Sequence, residues 1–185
     1  GVWKLAPGGC VSIAQDALPS LSTPRAWWSV EQAAGAALAV PLVVDDREAV
    51  DLVEAGLARA VACRLEADVP LGALLSGGID SSLVVALMQR AAGQPVRTFS
   101  IGFDTADYDE AALARAVASH LGTVHTEQRV SANEALAVIP RLPAIYDEPF
   151  ADSSQVPSVL VAALARQHVT TALTGDGGDE LFAGY

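Results

Sequence analysis

From residue 69 onward the chain alternates short, nearly continuous apolar runs with longer stretches whose apolar positions return every three or four residues. That rhythm predicts βαβ units and a parallel sheet with strands buried on both faces. Strands are expected over 69–75, 96–103, 124–130 and 169–174, with helices near 82–92, 109–120, 133–146 and 157–167. Each crossover is long enough to carry a helix and is expected to be right-handed, so that helices cover both sides of the sheet. Upstream, Asp45 or Asp46 is placed to cap a helix ending before Pro70. Its stripe of Val50, Val53, Leu57, Val61 and Leu65 predicts one face turned to a core. Before it, Pro7, Gly8, Gly9, Pro19, Pro24 and Pro41 punctuate short apolar pieces at 10–14 and 26–30, which predicts a hairpin and a linker. The expected fold class is α/β, a doubly wound parallel sheet preceded by a short β-hairpin, with no internal repeat.

Composition narrows the picture further. At 185 residues and 51% hydrophobic side chains, the chain can bury one core, or one core plus an appendage. A net charge of −11, from 22 acids against 11 bases, excludes the basic footprint of a nucleic-acid binder; Lys4 is the single lysine. Cys10 and Cys63 lie far apart without metal-ligand spacing, so both are expected to be packing residues in a reducing compartment. No apolar run reaches the ~18 residues of a membrane span, and the opening GVWKLAPGG lacks a signal-peptide layout. The expectation is a soluble, cytoplasmic chain. Its start at Gly1 without an initiator Met points to a segment of a longer protein.

Two loops carry candidate chemistry. LLSGGIDSS (74–82) ends a buried strand in glycines, serines and one acid. Gly77 and Gly78 permit backbone angles and close approach that side chains would block, so successive N–H groups can face an anion at a helix's positive end. Ser76, Ser81 and Ser82 add hydroxyl donors, and Asp80 makes sense beside a phosphate as a Mg²⁺ ligand. An ordinary Gly-rich turn with Asp as a cap is the competing reading. TGDGGDE (174–180) also follows a strand and packs glycines around acids, whose mutual repulsion calls for a cation or solvent. Its competing reading is a Schellman-like turn into a capped helix. If the first and fourth strands are neighbours where the strand order reverses, Asp80 and Asp179 face each other across one crevice. The lysine-bearing phosphate loop GxxxxGK[ST] is absent.

SGGxDS resembles the pyrophosphate-binding motif of the ATP pyrophosphatase (PP-loop) group, whose members adenylate a substrate and release pyrophosphate. PLGALLSGGIDSS, TFSIGF, YDEAALARAVASHLGTVH, YDEPFADSSQVPSVLVAALARQHV and LTGDGGDELFAGY, in that order and spacing, resemble the synthetase domain of glutamine-hydrolysing asparagine synthases over residues 41–185. GVWKLAPGG followed by RAWW is similar to that family's exit from its glutaminase domain, which assigns 1–40 to a glutaminase tail and linker.

The resemblance implies a truncated three-layer sheet of adenine-nucleotide alpha-hydrolase type and a site built residue by residue. Ser76, Gly77, Gly78, Asp80 and Ser81 would cradle the pyrophosphate end of ATP. Leu74 and Ile101 would hold the adenine, and Thr174 and Gly175 the ribose and α-phosphate side. Asp80 and Asp179 would carry Mg²⁺. Asp176 would sit beside the adenylated acceptor and ammonia, able to take a proton, although Asp is equally at home in a tight turn. The acidic segment 147–154 is a candidate acceptor-side wall or a solvated loop. The implied reaction adenylates the β-carboxylate of aspartate, and ammonia from glutamine, released by an upstream glutaminase domain, completes asparagine. A related adenylating enzyme (a β-lactam or peptide cyclase, or a sugar or peptide amidotransferase) and a non-catalytic nucleotide-binding fragment are the alternatives. The implied partners are these small molecules and the glutaminase domain, with no nucleic acid and no membrane; a homodimer is a further option. Several positions differ from the family pattern: Asp176 stands where many members have Glu, Thr174 where Ser is commoner, and Ala183 where Gly is common. The glutaminase cysteine and a downstream basic residue near the phosphates lie outside these residues.

Overall fold

The computed structural model describes residues 3–13, 23–104, 111–148, 151–182 and 184. The chain divides into two compact units, Gly1–Ala49 and Val50–Tyr185. In the first, β1 (Gly9–Cys10) pairs antiparallel with β2 (Arg25–Ala26), the predicted hairpin in shortened form; residues 14–22, which include the end of its expected first strand, lie outside the described residues. The expected linker contains a helix, α1 (Val30–Ala39). Ser29 starts it by accepting the Gln32 N–H at 3.3 Å, and the alanine-rich run that follows has strong helix propensity. Asp45, rather than Asp46, caps α2 (Asp46–Leu65), its carboxylate accepting the Glu48 N–H at 2.8 Å.

The second unit holds the parallel sheet. Its strands are β3 (Leu71–Leu74), β4 (Arg97–Phe103), β5 (Val124–Val130) and β6 (Thr171–Leu173), arranged β5-β4-β3-β6. The first and fourth predicted strands are thus neighbours, Leu71 standing beside Thr171 and Ala73 beside Leu173. On the other side, Leu74 stands beside Phe99.

Alternation along the strands feeds two cores, one per face. Ala73, Leu75 and Val96 pack with Val85, Leu87 and Met88 of α3 (Ile79–Ala91), Ala114 and Ala118 of α4 (Ala111–Leu121), and Val61 of α2. Leu74 and Phe99 point the other way, onto Val161, Leu164 and Ala165 of α7 (Gln155–Arg166) and onto Val169. Phe99 also stacks on His168 with ring centroids 5.6 Å apart. The result is a three-layer α/β arrangement, as the apolar pattern predicts.

Several expectations are corrected. The helix expected over 133–146 is broken into α5 (Ala132–Val138), a 3-10 turn at Ile139–Arg141 and α6 (Leu142–Ile145), because Pro140 and Pro143 lack the N–H groups a continuous helix needs. Only part of the α2 stripe is used: Val61 is buried and Leu57 and Leu65 pack on the core, while Val50 and Val53 are exposed. Cys63 is exposed rather than packed, and Cys10 is half-buried. The helix after LLSGGIDSS begins at Ile79, ahead of the expected Ser82, which places Asp80 and Ser81 in its first turn. The last element, α8 (Gly178–Phe182), follows the second loop.

Between β4 and β5 lies a polar ladder in which a half-buried His125 meets the buried Thr98 and Ser100. His125 Nδ1 is 2.9 Å from Thr98 Oγ1, and its Nε2 is 3.1 Å from Ser100 Oγ. Burial holds the imidazole below its ordinary pKa; the nearby Glu127 carboxylate opposes this and Arg115 adds to it. A depressed value in the folded state means the unfolded chain binds the proton more readily. Stability is therefore expected to be complete above about pH 6.5, the ordinary imidazole value, and to fall as pH drops through and below it. Chemical denaturation from pH 7.5 down to about pH 5 checks this: the loss should shrink in His125→Gln, and an unchanged slope would refute it.

Candidate functional site

At the carboxyl end of β3, Leu75 N–H still donates to the Phe99 carbonyl at 2.9 Å before the chain turns into α3. Gly77 has φ +89°, and a Cβ there would lie 2.6 Å from the Ala114 nitrogen and 2.9 Å from the Leu113 carbonyl carbon. Both the angle and the space demand glycine. The rest of the loop closes on itself through serines. Ser76 and Ser81 hydroxyls are 2.9 Å apart. Ser76 Oγ accepts the Gly78 N–H at 3.2 Å, Ser81 Oγ accepts the Ser76 N–H at 3.3 Å, and Ser81 Oγ donates to the Gly78 carbonyl at 3.3 Å. Asp80 follows, half-buried.

The expectation for Ser82 is corrected. Its Oγ is buried and has no hydrogen-bond partner among the described residues. It lines an apolar groove with Leu83 and Ala86 of α3 and Ala116, Val117, His120 and Leu121 of α4, so it stands apart from the serine clasp. The extra turn at the start of α3 has carried it round the helix.

The second loop leaves β6 directly beside the first. A Cβ on Gly175 would lie 2.7 Å from the Ser81 nitrogen, 2.9 Å from the Asp80 carbonyl carbon and 3.0 Å from the Asp80 Cβ. A Cβ on Gly178 would run into the Asp80 carboxylate. The two glycines therefore let TGDGGDE lie against the start of α3 with Asp80 between them. Thr174 Oγ1 donates to Asp176 Oδ2 at 2.9 Å and accepts the Asp176 N–H at 3.3 Å, a closed turn that leaves the Asp176 side chain exposed. Asp179 is half-buried in the first turn of α8, immediately after Gly178.

A cavity of about 390 Å³ opens from this corner, between the ends of β3 and β4 and the start of α7. Leu74, Ile101 and Ser76 line it, as do Phe99, Phe103, Pro157, Ser158 and Val161. Ser76 belongs both to this cavity and to the serine clasp, so the cavity and the Gly-Asp loops are continuous. The lining does not include Thr174 or Gly175, which sit on the neighbouring corner. From the segment 147–154, Ser154 lines the same cavity as Leu74 and Ile101. Asp152 is turned back on its own segment, accepting the Ser154 N–H at 2.8 Å, and this bond, with the Ser154 hydroxyl, holds its carboxyl below the ordinary range. The α7 contribution has only a faint sequence signal, the small and apolar start of a helix following an acidic loop.

This arrangement defines a class: a parallel α/β domain with paired Gly-Asp loops meeting where the strand order reverses, which is where such sheets bind ligands. Residues 52–185 match the model of the asparagine synthase family, and the chain belongs to that family. It is 43% identical over 138 residues to a putative glutamine-hydrolyzing asparagine synthetase of Methanocaldococcus jannaschii, covering 72% of this chain and 27% of that protein. To asparagine synthetase 1 of Bacillus subtilis it is 35% identical over 145 residues, covering 78% and 23% respectively. The chain thus spans about a quarter of the length of these curated relatives. Among solved structures it is similar to an NMN synthetase from Francisella tularensis, with a TM-score of 0.49, 18% identity, and coverage of 71% of this chain and 56% of that one. Among the described residues no helix is long and apolar enough to cross a membrane.

Proposed function

We propose that this chain forms the ATP-binding part of an asparagine synthetase that activates the β-carboxylate of aspartate. The observation that carries the reading is the meeting of the two loops: Gly175 and Gly178 lie against Asp80, and Ser76 leads from that corner into a cavity large enough for a nucleoside. In this reading the base lies between Leu74, Ile101 and α7, and the phosphates run toward Ser76, Gly77, Gly78 and Ser81. Thr174 and Gly175 flank the ribose and α-phosphate.

The residues present suit a magnesium ion. Carboxylate oxygens are its preferred protein ligands beside phosphates, and at Gly175 and Gly178 no side chain of the second loop covers the Asp80 carboxylate. Asp80 and Asp179 would hold it, and when bound it would neutralise phosphate charge. The chain's own contribution is positioning: the loops fix the triphosphate so that the acceptor carboxylate oxygen attacks the α-phosphorus and the bond to the leaving pyrophosphate breaks. In this reading ammonia then attacks the acyl carbon, AMP leaves, and the exposed Asp176 carboxylate takes the proton released from nitrogen. Its bond from Thr174 Oγ1 engages one oxygen and orients the group. The relatives' description as glutamine-hydrolyzing supports glutamine as the source of the ammonia; in this reading a separate glutaminase domain preceding this one releases it, in the cytoplasm.

ATP–pyrophosphate exchange tests the reading. Exchange is expected with magnesium and aspartate together and to be lost when either is withheld. Exchange driven by another carboxylate but not aspartate would reassign the acceptor, and ATP binding with no exchange for any carboxylate would reduce the chain to a nucleotide-binding module.

A further inference from the structure

The block SHLGTVH ends in a histidine for which the proposed reaction has no use. Thr98 and Ser100 place two buried hydroxyls on one face of β4, and His125 bridges both with its two ring nitrogens, at 2.9 and 3.1 Å. Thr98 is tied in addition to Thr123, 2.9 Å between hydroxyls, whereas the Ser100 hydroxyl is held by the imidazole. Ser100 also lines the cavity. Because strand side chains alternate, its hydroxyl points away from the face that carries Phe99 and Ile101, so Ser100 meets the cavity through its main chain.

We propose that His125 is a positioning residue for the nucleotide cavity: by holding the Ser100 hydroxyl from behind, it sets the main chain of β4 at Ser100, against which the base rests. This deepens the nucleotide reading and rests on it. The two ends of the imidazole then have different consequences. Its Nδ1 bond reaches Thr98, near the start of β4, which has Thr123 as a second anchor; its Nε2 bond reaches Ser100, at mid-strand, which lines the cavity.

Side-chain amides separate the two ends. An asparagine amide falls near the place of Nδ1 and a glutamine amide near that of Nε2. His125→Asn, His125→Gln and Ser100→Ala are therefore compared for ATP affinity in the presence of magnesium, with thermal unfolding run alongside. His125→Asn and Ser100→Ala should each weaken ATP binding by about fivefold, the factor one neutral hydrogen bond carries. His125→Gln should bind several-fold more tightly than His125→Asn, even where the two unfold at the same temperature. A generalised structural role would move both amide variants together. Equal affinities for the two amides, or wild-type affinity in Ser100→Ala, would overturn the proposal while leaving the nucleotide reading intact. Failure of the wild-type protein itself to bind ATP would overturn both. Should His125→Asn fail to fold, Ser100→Ala decides alone.

Discussion

Asp80→Asn should lower aspartate-dependent ATP–pyrophosphate exchange by at least about a hundredfold, the scale on which losing one charge-stabilising group in a reaction centre is felt. The substitution keeps the side chain's shape, so its contacts with Gly175 and Gly178 are retained; what is lost is the negative charge that the proposed reading sets beside the triphosphate. Because Asp80 is only half-buried, the stability change should stay within about 0.5 kcal/mol, the usual range for surface substitutions. Asp80→Glu separates charge from shape. It keeps the carboxylate but adds a methylene where Gly178 already lies against the existing group, so it too should be nearly inactive. Exchange at the wild-type rate in Asp80→Asn would remove this residue from the reaction and with it the metal assignment. Exchange preserved in Asp80→Glu alone would show that charge suffices and the close fit is incidental.

Gly175→Ala should have the second large effect. The new Cβ would meet the Ser81 nitrogen at 2.7 Å and the Asp80 carbonyl carbon at 2.9 Å. These are main-chain atoms of a helix start, which cannot swing aside as a flexible side chain can. The loop after β6 must retreat, at a cost of about 1–3 kcal/mol in stability, typical of overpacking, and with a much larger loss of nucleotide affinity because the two walls part. Gly177→Ala is the internal control. Gly177 has φ +94° but nothing within 4 Å of its would-be Cβ, so only the backbone angle is penalised, by about 1 kcal/mol. Denaturant unfolding and ATP titration of both variants decide the matter. If Gly175→Ala binds ATP as tightly as Gly177→Ala, contact between the loops has no bearing on the ligand.

Much of the sheet is legible because its inner strands β3 and β4 are short, mostly apolar runs, whereas β5 is a largely polar edge strand marked by its terminal valines. β4 and β5 lie where hydropathy predicts them, and β3 and β6 within a few residues. Their neighbouring positions follow from the rule that ligand loops gather where the strand order reverses, with the family resemblance pointing the same way. What the pattern does not carry is contact between distant segments. Nothing local announces that Ser154, Ser158 and Val161 complete the cavity begun by Leu74 and Ile101, or that Ser82 turns away from the loop it ends. Val50 and Val53 have the helical spacing of core residues yet stay exposed, since periodicity reports a face without reporting whether anything covers it. The alanine-rich α1 has no apolar stripe to distinguish it from a linker, and its local cues are the cap at Ser29 and the helix propensity of its alanines. His125 ends a block that carries the resemblance, but its two hydroxyl partners come from a strand on the far side of a helix in sequence, beyond the reach of any spacing argument.

The pairing of Leu71 with Thr171 also governs the order in which the pocket can come into being. One wall precedes the other by about a hundred residues, so a nascent polypeptide that has already built β3, β4 and β5 still lacks the second of the two Gly-Asp corners. Closing so distant a pair is the slow, entropically demanding kind of step. A ligand gripping both corners thus rewards only the finished topology, and its binding energy adds directly to the resistance of the whole sheet against unravelling.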